Sequence, residues 1–126
     1  MNRQRGPTHG QATVELALAL PLIVLMMLLV VQVGLVVRDH VIVVHASREG
    51  ARQVAVDARP GAARRAVLEG AALTSSRTSV RQSSRGRPGD RVTVTVAYRS
   101  MTNVPLVGLL VPDIEVRAET TMRVER

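Results

Sequence analysis

The chain has 126 residues, a formal net charge of +7 and no cysteine. This length leaves room for one small domain with a modest core, so a large substrate cleft is not expected. The missing cysteine excludes disulfides, thiol catalysis and cysteine-ligated metal. The charge favours anionic partners, but nucleic acid is not expected as one of them, because Tyr98 is the single aromatic residue available for base stacking.

A long run without charge follows the polar N-terminal residues 1–10. It extends from residue 16 to residue 37, between Glu15 and Arg38. As a helix this run is roughly 33 Å long, which matches the hydrocarbon thickness of a bilayer. A core helix and a cleaved secretory signal are the alternatives, and the length of the run disfavours both, since the apolar part of a signal has about 7 to 15 residues. We therefore predict a transmembrane helix over residues 11–38.

Gln32 and Gly34 form a polar, narrow patch within this span. Small residues allow close helix approach in lipid, and a side-chain amide can bond across helices. The two residues are candidates for a helix–helix contact, with tolerated sequence variation as the equal alternative.

The helical pattern continues beyond the span. Apolar residues recur at spacings of three and four up to about residue 59, before Pro60 and Gly61, with the predicted inner face formed by Val44, Ala51, Val54, Ala55 and Ala58. A second short helix is predicted over residues 62–73. Residues 74–90 are rich in Ser and Arg and predict a loop or at best an edge strand. This arrangement assigns residues 39–126 to a domain outside the membrane.

Two strands are predicted in the last third of the chain, over residues 91–99 and 114–124. In each, apolar and polar residues alternate, which is typical of a half-buried strand. Their connection of about 14 residues is too short for a crossover helix with its turns, so the strands should pair antiparallel. This connection is apolar, too short to span a membrane, and long enough to fold over the sheet or touch lipid. The predicted fold class is α+β: a long N-terminal transmembrane helix that extends into a small domain of helix and antiparallel sheet.

The sequence contains no pattern that indicates catalysis. His9, His40 and His45 do not have the spacing of a helical zinc site, and no glycine-rich phosphate loop is present. The serines between residues 75 and 84 have no histidine near them in sequence. We expect no catalytic residue, no metal and no cofactor. The arginines between Arg77 and Arg91 are interpreted as a solvated surface, with anionic lipid or an acidic partner as the alternative.

Glu15 is the most informative polar residue. A carboxylate at the start of an apolar span is costly to desolvate and indicates function by default. Alternatively it marks the interfacial end of the helix, where negative charge complements the helix dipole. Gly10 precedes Glu15 by five residues, at the change from polar to apolar sequence.

This pattern resembles type IV prepilins, and more narrowly the TadE-like minor pilins or pseudopilins of the Flp/Tad pilus system. Four segments resemble the family in order, namely HGQATVELALALPL at 9–22, REGARQVAVDA at 48–58, VTVTVAYRS at 92–100 and AETTMRVE at 118–125. Leu16 departs from the pattern, since many family members carry an aromatic residue after the glutamate.

The resemblance implies maturation and assembly. A prepilin peptidase is expected to remove residues 1–10 as a leader by cutting between Gly10 and Gln11, which makes Glu15 the fifth residue of the mature chain. Glu15 would then pair with the α-amine of a neighbouring subunit. The implied partners are the prepilin peptidase, other pilin-like subunits and the Tad secretion and assembly machinery.

The implied localisation is the cell membrane, with a single pass, a cytoplasmic N-terminus and an external C-terminal domain, which is in addition a candidate for incorporation into a pilus. The orientation is taken from the resemblance, because the arginines on the two sides of the span differ too little to fix it. The expected role is structural and not enzymatic. The alternative is a generic single-pass anchor whose outer domain binds an envelope partner.

Overall fold

The computed structural model describes residues 9–125 and shows one long helix joined to a small α+β domain. The elements in chain order are helix α1 (His9–Val56), helix α2 (Ala62–Gly70), a 3-10 turn (Ser75–Arg77), strand β1 (Thr78–Gln82), strand β2 (Arg91–Ser100), helix α3 (Val107–Leu110) and strand β3 (Ile114–Arg123). The predicted fold class is confirmed: a long apolar helix precedes a small helix and a three-stranded antiparallel sheet.

The three strands form a meander in the order β1-β2-β3, and both pairings are antiparallel. The predicted antiparallel pairing of the last two strands is therefore confirmed, with Val94 opposite Thr120 and Tyr98 opposite Val116. Alternate residues of β2 are buried beneath α1, because successive side chains in a strand point to opposite faces. β1, the short polar strand, lies at the edge of the sheet, in the segment that the sequence predicted as a loop or at best an edge strand.

The C-terminal part of α1 packs against this sheet through small side chains. Its buried residues in this part are Val43, Ala46, Ser47, Gly50, Ala51, Val54 and Ala55. Gly50 allows both α2 and β2 to approach α1 closely, because a Cβ atom there would lie 2.9 Å from Val67 Cγ2 and 3.3 Å from Val94 Cγ1. Of the predicted inner face, Ala51, Val54 and Ala55 are buried, Val44 is half-buried and Ala58 is exposed.

α1 ends at Val56, three residues before the predicted end near residue 59. Asp57 explains the early end, since its Oδ1 accepts a hydrogen bond from the backbone N–H of Arg59 at 2.9 Å, which favours a turn over a helix. The Arg59 side chain also bonds this carboxylate, and that bond holds the pKa of Asp57 below its ordinary value. Pro60 disfavours helical backbone in the residue before it, and Gly61 adopts a φ of 77°.

Helix α2 covers the side of α1 through Ala62, Ala63 and Val67, all buried. It ends at Gly70, three residues earlier than predicted, because the backbone turns extended at Ala71. β2 extends one residue further than predicted, and β3 ends one residue sooner. Within the β2–β3 connection the structure adds α3, which the sequence did not predict, with Leu106 at a φ of 67° just before it.

Candidate functional site

The N-terminal half of α1 exposes large apolar side chains on nearly all sides. From Val14 to Val37, fourteen of them are between 38% and 75% exposed. A soluble monomer rarely presents a continuous apolar surface of this extent. Among the described residues this is the one helix long and apolar enough to cross a membrane. These observations describe a helix that is long and apolar enough to span a membrane.

Glu15 lies exposed near the start of this helix, with the expected processing site one turn before it. The Gln11 side-chain amide donates a hydrogen bond to Glu15 Oε1 at 3.2 Å. The helix begins at His9, so the bond between Gly10 and Gln11 lies in its first turn, and Thr13 Oγ1 donates to the Gly10 carbonyl at 3.3 Å. Residues 1–8 of the expected leader lie outside the described residues.

Gln32 and Gly34, the candidates for a helix–helix contact, have opposite surroundings. Gly34 is exposed, and a Cβ atom there would meet nothing within 4 Å. Gln32 is 3% exposed, so its own chain covers it, and neither atom of its amide has a hydrogen-bond partner. Gly34 is thus available to a neighbouring helix, whereas Gln32 is buried inside the subunit.

Two polar contacts that the sequence gave no sign of hold the sheet to α1. Ser100 Oγ donates to Asp39 Oδ2 at 2.6 Å, and the hydroxyls of Ser47 and Thr120 are 2.8 Å apart. Ser47 donates its single proton to the Val44 carbonyl, so Thr120 is the donor in the second contact. The partners are 61 and 73 residues apart in the chain, a separation that no local pattern reveals.

The arginine-rich segment between Arg77 and Arg91 is partly structural. Arg85 donates from Nε to the Val54 carbonyl at 2.9 Å and from Nη2 to the Ala55 carbonyl at 3.2 Å. These carbonyls belong to the last turn of α1, where a cation also complements the helix dipole. Arg77 lies over the Tyr98 ring, 5.6 Å from its centroid. The exposed members of the segment are Arg81, Arg87 and Arg91.

The other polar clusters of the described chain show no arrangement typical of a catalytic centre. His40 and His45 are both exposed on α1. Within residues 9–125 no group of three His, Asp or Glu side chains is placed to hold a metal ion. Ser83, one of the serines considered for catalysis, accepts a hydrogen bond from the backbone of Thr93 at the edge of the sheet.

A long apolar helix with a carboxylate near its start and a small α+β domain at its other end defines an α+β protein with one candidate membrane helix among the described residues. Residues 10–52 match the family described as TadE-like protein. The match confirms the resemblance over the segment from Gly10 to Arg52, and it indicates a protein associated with the Tad pilus. No curated protein and no solved structure matches the chain.

Proposed function

We propose that this protein is a minor pilin-like subunit of a Tad-type pilus or secretion machine, matured by a prepilin peptidase and anchored by α1 with its C-terminal domain outside the cell. The observation that carries the proposal is the exposed Glu15 near the start of α1, in a half of the helix where large apolar side chains are also exposed. The family match over residues 10–52 includes Gly10, Glu15 and this entire span. The proposed role is structural, without catalytic residues or cofactors.

Glu15 is proposed to set the position of each subunit in the assembly. Cleavage after Gly10 creates an α-amine on Gln11, one helical turn from Glu15. When helices of neighbouring subunits associate, the amine of one subunit pairs with Glu15 of the next. Both charges lie at the margin of the hydrocarbon, where attraction is stronger than in water, so the pairing favours one register over sliding. Exposed Gly34 gives neighbouring helices a site of close approach.

Processing is tested by intact-mass measurement on protein produced together with its own peptidase. The expected mature chain begins at Gln11, and a Gly10→Val variant should keep residues 1–10 because the peptidase site is altered. Gly34→Val is the matched control, since it places the same side chain on the same helix away from the site, and it should be processed like the unaltered chain. A chain that still begins at Met1 or Asn2 contradicts the proposed maturation.

Assembly is tested with Glu15→Leu and Glu15→Gln. Membrane insertion should be at least as complete as before, because each change removes a charge from the edge of the span. Crosslinking to other pilin-like subunits should fall, because the neighbouring amine loses its partner, and an unpaired charge in poorly solvated surroundings costs about 3–5 kcal/mol.

Leu16→Ala is the control in this experiment, since it alters helix packing next to Glu15 and leaves the charge in place. If partners are recovered equally with Glu15→Leu and with the unaltered chain, the protein is a generic single-pass anchor that binds an envelope partner through its outer domain.

A further inference from the structure

The β2–β3 connection points toward the membrane half of α1. β2 runs antiparallel to α1, because Val94 lies beside Gly50 while Ser100, at the end of the strand, bonds Asp39. The chain beyond Ser100 therefore continues toward the N-terminal part of the helix. α3, within this connection, contacts α1.

The charge boundaries of the helix and of the connection lie at the same level. The first charged residues of α1 after the charge-free span are Arg38 and Asp39. The last charged residue of β2 before the connection is Arg99. The hydrogen bond between Ser100 and Asp39 places these two boundaries side by side. On the N-terminal side of this level, residues 16–37 of the helix and residues 101–112 of the connection contain no charge at all.

The tip of the connection exposes apolar side chains at this end of the domain. Leu109 is 86% exposed, Leu110 68% and Leu106 57%, whereas Val104 and Val107 beneath them are buried. Leu109 and Leu110 in α3 and Leu106 just before it are therefore exposed on a segment that contacts α1. Because Val104 and Val107 are buried, the tip is folded, with one buried face and one exposed face.

Several polar backbone groups of the tip are satisfied within the tip itself. Irregular backbone in hydrocarbon must satisfy its polar groups internally. Gly108 N–H bonds the Val104 carbonyl at 3.1 Å, Leu109 N–H bonds the Leu106 carbonyl at 3.3 Å, and Val111 N–H bonds the Val107 carbonyl at 2.9 Å. Pro105 and Pro112 have no N–H to satisfy. At the neck, Asp113 accepts a hydrogen bond from the Thr102 N–H.

We propose that the β2–β3 tip inserts Leu106, Leu109 and Leu110 among the lipid acyl chains of the leaflet nearest the domain. Arg38 and Arg99 then lie at the level of the headgroups, where arginine meets lipid phosphate. The protein is then inserted in the bilayer at two points, the span and the tip. These two points fix the orientation of the sheet relative to the bilayer. This inference rests on the proposed membrane anchoring by α1.

The test uses the full chain in phospholipid vesicles, with an environment-sensitive fluorophore on single cysteines, since the natural chain has none. The tip is labelled in Leu109→Cys, the span in Met27→Cys and the opposite end of the domain in Ser84→Cys, all at exposed positions. The Leu109→Cys label should be quenched by acyl-chain spin labels severalfold more strongly than the Ser84→Cys label, and it should be protected from iodide. The Met27→Cys label should be protected in the same way.

The outcomes separate the two proposals. If the label at residue 27 is in lipid and the label at residue 109 is open to iodide, the tip does not insert and the anchoring stands. If the label at residue 27 is itself open to iodide, the anchoring fails. Protection of residue 109 that vanishes when vesicles hold single chains means that a second copy, and not lipid, covers the tip. Leu110→Asp, a change at an exposed position, should make a fluorophore on Leu106→Cys accessible to iodide. If that fluorophore stays protected from iodide, the tip does not insert.

Discussion

The two halves of helix α1 are built from the same kinds of residue and have opposite surroundings. From Val14 to Val37 fourteen large apolar side chains are exposed, of which six are Val, five are Leu, two are Met and one is Ile. From Val43 to Ala55 its buried side chains are Val, Ala and Ser, and a sheet covers them. The comparison shows that Val occurs in both halves, whereas Leu and Met are absent from the buried residues between Val43 and Ala55. Large residues give the exposed half a broad apolar surface, whereas small residues let the other half approach a sheet closely.

The largest expected effect comes from a charge at the sheet face beneath α1. Val94 is fully buried opposite Gly50, so Val94→Asp buries a carboxylate without a partner. We expect it to cost about 3 kcal/mol or more, a large share of the stability of a small domain. Amide hydrogen exchange of the full chain in vesicles should show lost protection in β2 and β3 while the span stays protected.

Thr121→Asp is the matched control for this change, because Thr121 lies on the exposed face of β3. Its exchange pattern should stay close to that of the unaltered chain. Equal protection in both variants would mean that Val94 does not face a dry interface.

An intermediate effect is expected when Gly34 and Gly50 of α1 are each replaced by leucine. Gly50→Leu overpacks the interface with Val67 and Val94 and should cost about 1–3 kcal/mol. Gly34→Leu places the same side chain in open space and should leave the domain unchanged. Denaturant titration of both variants, followed by circular dichroism, gives the difference. A domain destabilised as much by Gly34→Leu as by Gly50→Leu would remove the distinction between the two halves.

A smaller effect is expected at the end of the buried half, where Arg85 holds the last carbonyls of α1. Arg85→Ala removes two hydrogen bonds from a charged donor, and we expect a loss of about 1–2 kcal/mol. Fraying of the helix near Ala55 should appear as faster amide exchange there. Arg81→Ala, at an exposed position on β1, is the control and should change the unfolding midpoint little. Matching exchange rates in the two variants would contradict the capping role.

The sequence predicted those features that follow from periodicity. Alternation identified β2 and β3, and a charge-free run identified the exposed half of α1. Periodicity did not reveal the contacts of Asp39 and Ser47 with the sheet, because their partners become neighbours only after the meander forms. It did not reveal α3 either, since one helical turn between two prolines has too few residues to show a period.

The candidate site was predictable in part for the same reason. Glu15 and Gly10 stand out against uniform surroundings, so a local pattern was enough to single them out. Gln32 was considered a contact to another helix because it is polar within an apolar run. The burial of Gln32 within the subunit depends on tertiary contacts. The spacing of residues along one helix does not predict such contacts.

The unbroken course of α1 from His9 to Val56 has a mechanical consequence. Its 48 residues correspond to about 72 Å of helix, with Pro21 inside the apolar part, and the same helix is both the apolar shaft and one wall of the domain core. The described chain has no joint between these parts. A rotation of the apolar part about the helix axis is therefore transmitted to the sheet through the α1 residues that pack against it.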